Sequence, residues 1–502
     1  MINTYNFISF ITQNIKLFLG LNILVIIILL TYNFKYLKHE LNGIKKKIWL
    51  IVLLIFIFSF MIRIIPGTIY QSSNEPDWYY KMAGNKMANG DFIDLHGKRI
   101  HPLGFPFVLS YLFKLGLPIN KSVFYFNTLI GSLTSVIIFI LTYVLFKRTP
   151  VALISSLIFS VMYKGIYYSR TGASEPIALF FITLTLTIFL ISYRANKISM
   201  YLLALSLLAY CAEIKSESLV YLIIFLLGLL IFKGRVTKLI IPFALFLVLL
   251  FPVYTFYLNH LDLPLMIEKM LNPNFAEKND MSSLRNNLYG FIKELEEFNL
   301  YEKVILFLFV LPFLQFIRYK KQIIFLISYL FINLLLYSST LYSVAERYVV
   351  MLYPILAIMS GLGFFILINI NKNLKVYSKL AYPLFILLLL IGPVLAISQE
   401  KSYNDINEII EMRKEGIFED DAIIICCNWM EHCGSLFPEE ITIKLEEFVQ
   451  RPFFSGNKKK YYIESANENM VGCRKEIKKQ LFNNFETILI KDNIITKVYE
   501  IR

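Results

Sequence analysis

Charge is what this chain has least of. Only 17% of its 502 residues are charged, where a soluble domain carries about 25%. Acidic residues are the scarcer sign, 36 Asp and Glu against 50 Lys and Arg. Five cysteines over this length exclude a disulfide-built scaffold, and 21 glycines with 17 prolines exclude a collagen-like or Pro/Gly-rich chain. No repeat and no low-complexity linker is visible. What is abundant is apolar mass: 57% of residues are hydrophobic and the mean hydropathy is +0.59, which excludes disorder and demands a solvent other than water.

The apolar residues come in blocks separated by short basic clusters. The blocks lie near 15–34, 48–65, 122–146, 150–168, 174–193, 199–212, 218–232, 239–258, 304–317, 323–342, 348–370 and 380–398. Only helices satisfy their own backbone in hydrocarbon at this hydrophobicity, so the expected fold is an all-α polytopic membrane protein with about twelve transmembrane helices. If all cross, the basic clusters at 35–47, 147–148, 194–197, 233–238, 318–321 and 372–379 fall on one side. The positive-inside rule makes that side cytoplasmic and puts the loops 66–121 and 259–303, with the tail 399–502, outside. The net charge of +14 is thus a record of topology, and nucleic acid is not an expected partner. Fusing 199–212 with 218–232 would bury Glu213, Lys215 and Glu217 and flip the later basic loops, so two short helices with a tight outer turn are expected.

The first Lys is at position 16 and no small-residue cleavage site follows the first apolar run. Residues 1–47 therefore read as an additional uncleaved anchor with a cytoplasmic basic loop, 48–398 as the main transmembrane domain, and 399–502 as a small extracytoplasmic α/β domain. In that tail Ala422–Cys426, Tyr461–Glu464, Thr487–Lys491 and Ile494–Tyr499 read as strands and 439–449 as helical. The outer setting permits disulfides among Cys426, Cys427, Cys433 and Cys473, with several pairings open. The spacing of Cys426, Cys427, His432 and Cys433 fits no standard zinc signature.

The first long outer segment holds the densest chemistry. Pro76 suits a first helical turn and Gly90 a helix end, so 76–89 reads as a short helix at the membrane surface. Asp77 stands in its first turn, where the helix dipole favours an ionised carboxylate, with Glu75 beside it. An ionised Asp at a membrane face is a candidate general base or ligand for a divalent metal; the plainer reading is a carboxylate that complements the dipole. Arg99, His101, Pro102, Gly104 and Pro106 then make a rigid basic turn leading into 105–117, an apolar stretch short enough to dip without crossing. Further charges stand at outer span ends: Arg170 and Glu175, Glu213, Lys215 and Glu217, and Glu346 and Arg347. Ionisable groups near hydrocarbon tend to face a polar cavity or one another, which points to one shared outer cavity.

The order of these segments resembles the membrane-embedded GT-C glycosyltransferases, in particular the glycosyltransferase family 39-like group of the protein O-mannosyltransferases and the lipid A aminoarabinose transferase. The resemblance is carried by Glu75-Pro76-Asp77, Tyr79 through Ala83, His101-Pro102-Leu103-Gly104-Phe105-Pro106, Ser174-Glu175-Pro176, and Arg347-Tyr348 with Pro354, and spans roughly 48–398. It implies transfer of a monosaccharide from a polyprenyl-phosphate-linked donor to an acceptor hydroxyl at the outer face of the cell membrane, with inversion. Asp77, with Glu75, would take the catalytic acidic position; Arg99, His101, Glu175, Lys215 and Arg347 would contact the lipid phosphate or sugar. Trp78 stands where many members have a second acidic residue, His101 where a proline is usual, and Lys215-Ser216-Glu217 matches the family's R-P-E only partly. Sugar, acceptor and metal dependence stay open. The competing class is a polytopic transporter or flippase of lipid-linked glycans, which would carry internal symmetry and polar residues at the bilayer midplane.

Overall fold

The computed structural model describes residues 10–64 except 12, 75–90, 102–260 except 118, 300–340, 349–370, scattered positions in 385–394, 423–426, 441–444, 460–465, and 481–501 except 484 and 493–495. Fourteen α-helices are named here among the described residues: α1 Ile15–Leu41, α2 Lys46–Ile64, α3 Glu75–Asn89, α4 Gly104–Lys114, α5 Ile119–Phe146, α6 Thr149–Val161, α7 Tyr163–Tyr168, α8 Glu175–Ala195, α9 Ile198–Ile214, α10 Tyr221–Phe232, α11 Ile240–His260, α12 Leu300–Val310, α13 Phe316–Thr340 and α14 Tyr353–Ile370. Six described helical segments are long and apolar enough to cross a bilayer: α1, α2, α8, 121–146, 236–256 and 350–369. The chain is a multi-pass membrane protein.

Eleven of the twelve expected spans coincide with helix, several of them broken. The span expected over 150–168 splits into α6 and α7, because Met162 is extended (φ −65°, ψ 121°). The carbonyl of Ser160, beside that break, accepts from Arg63 Nη1 at 3.1 Å, a donor supplied by α2 in place of helix backbone. The expected 304–317 becomes α12 followed by a 3-10 turn with Pro312. The paired reading of 199–232 holds: α9 ends at Lys215 in extended backbone, a 3-10 turn follows over 216–220, and α10 starts at Tyr221. The twelfth span, 380–398, lies almost wholly outside the described residues.

The centre of the bundle is built by α5, α6, α8, α9 and α14, which pack pairwise and are largely buried. Their contact faces are rich in Ser and Thr, small enough for close approach. Many of these hydroxyls turn back onto their own helix, as Ser132 does to the Thr128 carbonyl and Thr183 to the Leu179 carbonyl, each at 2.7 Å. Others reach across: Ser156 Oγ donates to the Ser135 carbonyl at 2.7 Å, joining α6 to α5.

Two sets of contacts mark two faces. At one, Glu40 meets Lys147 at 2.6 Å and Arg194 at 3.3 Å, while Lys238 donates to the Asn196 carbonyl at 3.1 Å. At the opposite ends of the same helices, Ser174 meets α3, Glu213 meets α4, and Glu175 pairs with Lys215. The basic clusters near 40, 147, 194 and 238 thus share one face of the bundle, as the sequence led one to expect.

In the tail, five strands, β1 Ile423–Cys426, β2 Ile441–Lys444, β3 Lys460–Ser465, β4 Thr487–Asp492 and β5 Thr496–Ile501, form one sheet in the order β2-β1-β3-β5-β4. β1 pairs in parallel with β2 and β3, and β5 in antiparallel with β3 and β4. Ile423, Ile425, Tyr462, Leu481 and Ile501 form its buried centre. The stretch expected to be helical over 439–449 is strand at 441–444, where the alternation Ile-Thr-Ile favours a pleated surface. The cysteine pairings lie outside the described residues; Cys211 is a buried free thiol.

Candidate active site at one membrane face

The helix expected at 76–89 is α3, Glu75–Asn89, so Glu75, Pro76 and Asp77 occupy its first turn. Gly90 ends it with φ +87°, a conformation glycine takes without Cβ strain. One turn after Asp77, Tyr80 is buried; its ring meets Phe105 edge-to-face at 5.3 Å and its hydroxyl accepts from Ser174 Oγ at 3.1 Å. Ser174 sits at the N-cap of α8 and makes no cap bond with its side chain, giving its hydroxyl to α3 instead. Lys81, four residues after Asp77 and hence on the same helix face by backbone spacing, is 1% exposed.

α4 starts where the turn at 101–106 was expected to enter the membrane. Its Gly104 lies against the end of α9: a Cβ there would stand 2.8 Å from the Glu213 carbonyl carbon and oxygen, so only glycine fits. Tyr210 Oη donates to the Gly104 carbonyl at 3.0 Å. Two turns along α3, Gly84 lies against α4, where a Cβ would stand 3.0–3.1 Å from Phe113 and Leu109 side-chain carbons. The pair α3–α4 thus forms a helical hairpin on the ends of α8 and α9.

Glu175 opens α8 with Pro176 behind it, and its carboxylate meets Lys215 Nζ at 2.9 Å with both side chains buried. The two residues expected to contact substrate are therefore first of all partners of each other. Arg170, in the turn between α7 and α8, is 2% exposed; burial pulls its guanidinium down to about 10, which leaves it cationic at neutral pH. Four segments far apart in sequence, 75–81, 102–106, 170–176 and 213–217, converge at one end of the bundle.

Residues 100–258 match the family model of the dolichyl-phosphate-mannose-protein mannosyltransferases. Over nearly its full length the chain also superposes on ArnT from Cupriavidus metallidurans. In the apo state the TM-score is 0.61 at 10% identity, covering 89% of this chain and 97% of that one. For ArnT bound to undecaprenyl phosphate it is 0.58 at 9% identity, covering 90% and 97%. This is a GT-C fold. The archaeal oligosaccharyltransferase AglB from Archaeoglobus fulgidus, in complex with an inhibitory peptide and a dolichol-phosphate, is also similar, with a TM-score of 0.55 and 12% identity over 84% of this chain and 69% of that one. No curated protein matches the chain.

Within the GT-C frame the sequence-derived residues divide into three groups. Glu175 and Lys215 are brought together. Glu75 and Asp77 have a placed backbone, at the start of α3, while their side chains lie outside the described residues. Arg99, His101 and Arg347 also lie outside them; the 3-10 turn Val350–Leu352, just after Arg347, packs against α8. Among the described residues no group of three or more His, Cys, Asp or Glu forms a metal site, and Asp77, the candidate ligand, is not among the side chains described. Sequence reasoning passed over Tyr80 and Lys81. The signal for Lys81 was its spacing of four from Asp77.

Proposed function

We propose that this GT-C protein moves a monosaccharide from a polyprenyl-phosphate-linked donor to an acceptor hydroxyl at the extracytoplasmic face of the membrane, with inversion. The observation that carries this reading is the convergence of the acidic helix start at 75–77 with the buried cations Lys81, Arg170 and Lys215 at one membrane face. ArnT binds undecaprenyl phosphate and AglB a dolichol-phosphate, so lipid phosphates are ligands of this fold.

The chemistry asks for two things. The acceptor oxygen attacks the anomeric carbon as its proton leaves, and the bond from that carbon to the phosphate oxygen breaks, so negative charge grows on the departing phosphate. Asp77 takes the proton or organises the acceptor, with Glu75 as its neighbour; it is also the candidate ligand of a divalent ion. Lys81, Arg170, Arg99, His101 and Arg347 supply the positive field for the phosphate. Lys215 contributes less than its charge suggests, because Glu175 already compensates it.

Purified protein reconstituted in lipid vesicles and titrated with undecaprenyl phosphate tests the site. Saturable binding in wild type, weakened by Arg170→Gln roughly 10- to 150-fold for a lost charge-assisted bond of about 1.5–3 kcal/mol, is expected. No binding by wild type overturns the donor class.

A further inference from the structure

The first helix reads from sequence as an anchor, and an anchor needs only an apolar surface. α1 has one: just 17% of its apolar window is buried. Yet the four residues it buries are Ile15, Leu19, Asn22 and Asn33. The two asparagines are eleven residues apart, about three helical turns, and so share one face.

Polar contacts tie α1 to the bundle at four depths. Lys16 Nζ donates to the Met87 carbonyl at 2.5 Å, in the last turn of α3. Asn22 Nδ2 donates to Glu213 on α9 and, at 3.3 Å, to the Leu249 carbonyl of α11. Asn33 exchanges two bonds with Ser199, its Nδ2 to the Ser199 carbonyl at 3.1 Å and Ser199 Oγ to its Oδ1 at 2.6 Å. Glu40 closes the series with Lys147 and Arg194. Around the first of these, Ile11, Ile15 and Leu19 pack with Met87, Leu103 and Phe107.

The contact at Met87 bears on the site. The carboxyl end of a helix carries partial negative charge and favours a cation. α3 has its own Lys86 in the last turn, and Lys16 brings a second cation from another helix onto a carbonyl there, while the first turn at the other end carries Glu75 and Asp77. α3 is a rod of 15 residues, about 22 Å long; Tyr80 holds it near its start against Ser174 and Lys16 holds its end, and two fixed points set its direction.

We propose that α1 is a positioning element of the active site, in which Lys16 holds the end of α3 and so sets where its acidic first turn meets the donor. The proposal rests on the reading of α3 as the acidic helix of a glycosyl transfer. Lys16 touches no reacting atom.

The full chain is compared as wild type, Lys16→Met, Lys16→Arg and Glu40→Gln, in native membrane vesicles that contain the acceptor, by release of undecaprenyl phosphate from undecaprenyl-phosphate mannose. Misplacement of a catalytic group by about 1 Å costs up to roughly 10²-fold, so Lys16→Met should lower kcat by about 10-fold or more with donor KM within about twofold. Lys16→Arg should restore most of it. Glu40→Gln cuts the same helix loose at its far end, and should lower the thermal midpoint while leaving kcat within about twofold. Spin labels at Leu17 and Asn89 give a readout independent of turnover: a narrow distance distribution in wild type that broadens in Lys16→Met. Unchanged kcat in Lys16→Met, an equal loss in Glu40→Gln, or an unchanged label distance each overturns the positioning role. Absence of turnover in wild type would instead count against mannose as the sugar transferred, with the label distances still testing the tether.

Discussion

At the scale of single residues the proposed chemistry turns on the acidic start of α3. Asp77→Asn keeps the shape and the hydrogen-bonding capacity of the side chain but cannot take a proton. Turnover should fall by roughly 10²–10⁴ while binding of undecaprenyl phosphate stays near wild type. Glu75→Gln should lose less, since Glu75 precedes Pro76 at the helix start. Greater loss in Glu75→Gln would move the base two residues back. The Glu175–Lys215 pair behaves differently, because each charge is buried with the other at 2.9 Å. Removing one partner strands the second, at a cost of about 3–5 kcal/mol, whereas removing both does not. Thermal unfolding of Glu175→Gln, Lys215→Met and the double variant should therefore show the double variant more stable than Glu175→Gln. Additive losses would mean that the pair contributes no coupling.

At the scale of elements the site depends on how closely α4 approaches the end of α9. Gly104→Val places a side chain against the Glu213 backbone, where neither helix end can yield cheaply; overpacking of this kind costs about 1–3 kcal/mol and here would also lift the α3–α4 hairpin off the site. Gly165→Ala is the control, since its Cβ would meet Tyr353 and Met162 side-chain carbons at an ordinary 3.5–4.0 Å. Activity and thermal midpoint should fall together in the first and hold in the second. The motif 101–106 was legible in sequence because Pro and Gly announce a turn by their own backbone limits. So was the tight turn at 215–217, where charge forbids a through-going span. The break at Met162 was not, since nothing at that residue is a helix breaker and its stabilising donor, Arg63, comes from another helix. The role of Asn22 and Asn33 was hidden for the same reason: two amides in an apolar run become contacts only when α9 and α11 are known to lie beside them.

At the scale of the whole molecule, the positions of 50 Lys and Arg residues carry the functional argument, because they decide which face meets which donor. The two faces are distinct: Lys147, Arg194 and Lys238 gather with Glu40 and Asn196 at one, and the converging site segments at the other. If the basic face is cytoplasmic, the site opens toward the outer leaflet, where no nucleotide sugar is available and a lipid-linked sugar is. Single-cysteine variants at Asn89, at the end of α3, and at Lys197, between α8 and α9, report the two faces from exposed positions. In intact cells a membrane-impermeant maleimide should label position 89 and leave position 197 until the membrane is opened. The reverse pattern would invert the protein, put the acidic helix in the cytoplasm and exchange the polyprenyl-phosphate donor for a nucleotide sugar, while leaving every contact within the bundle as it stands.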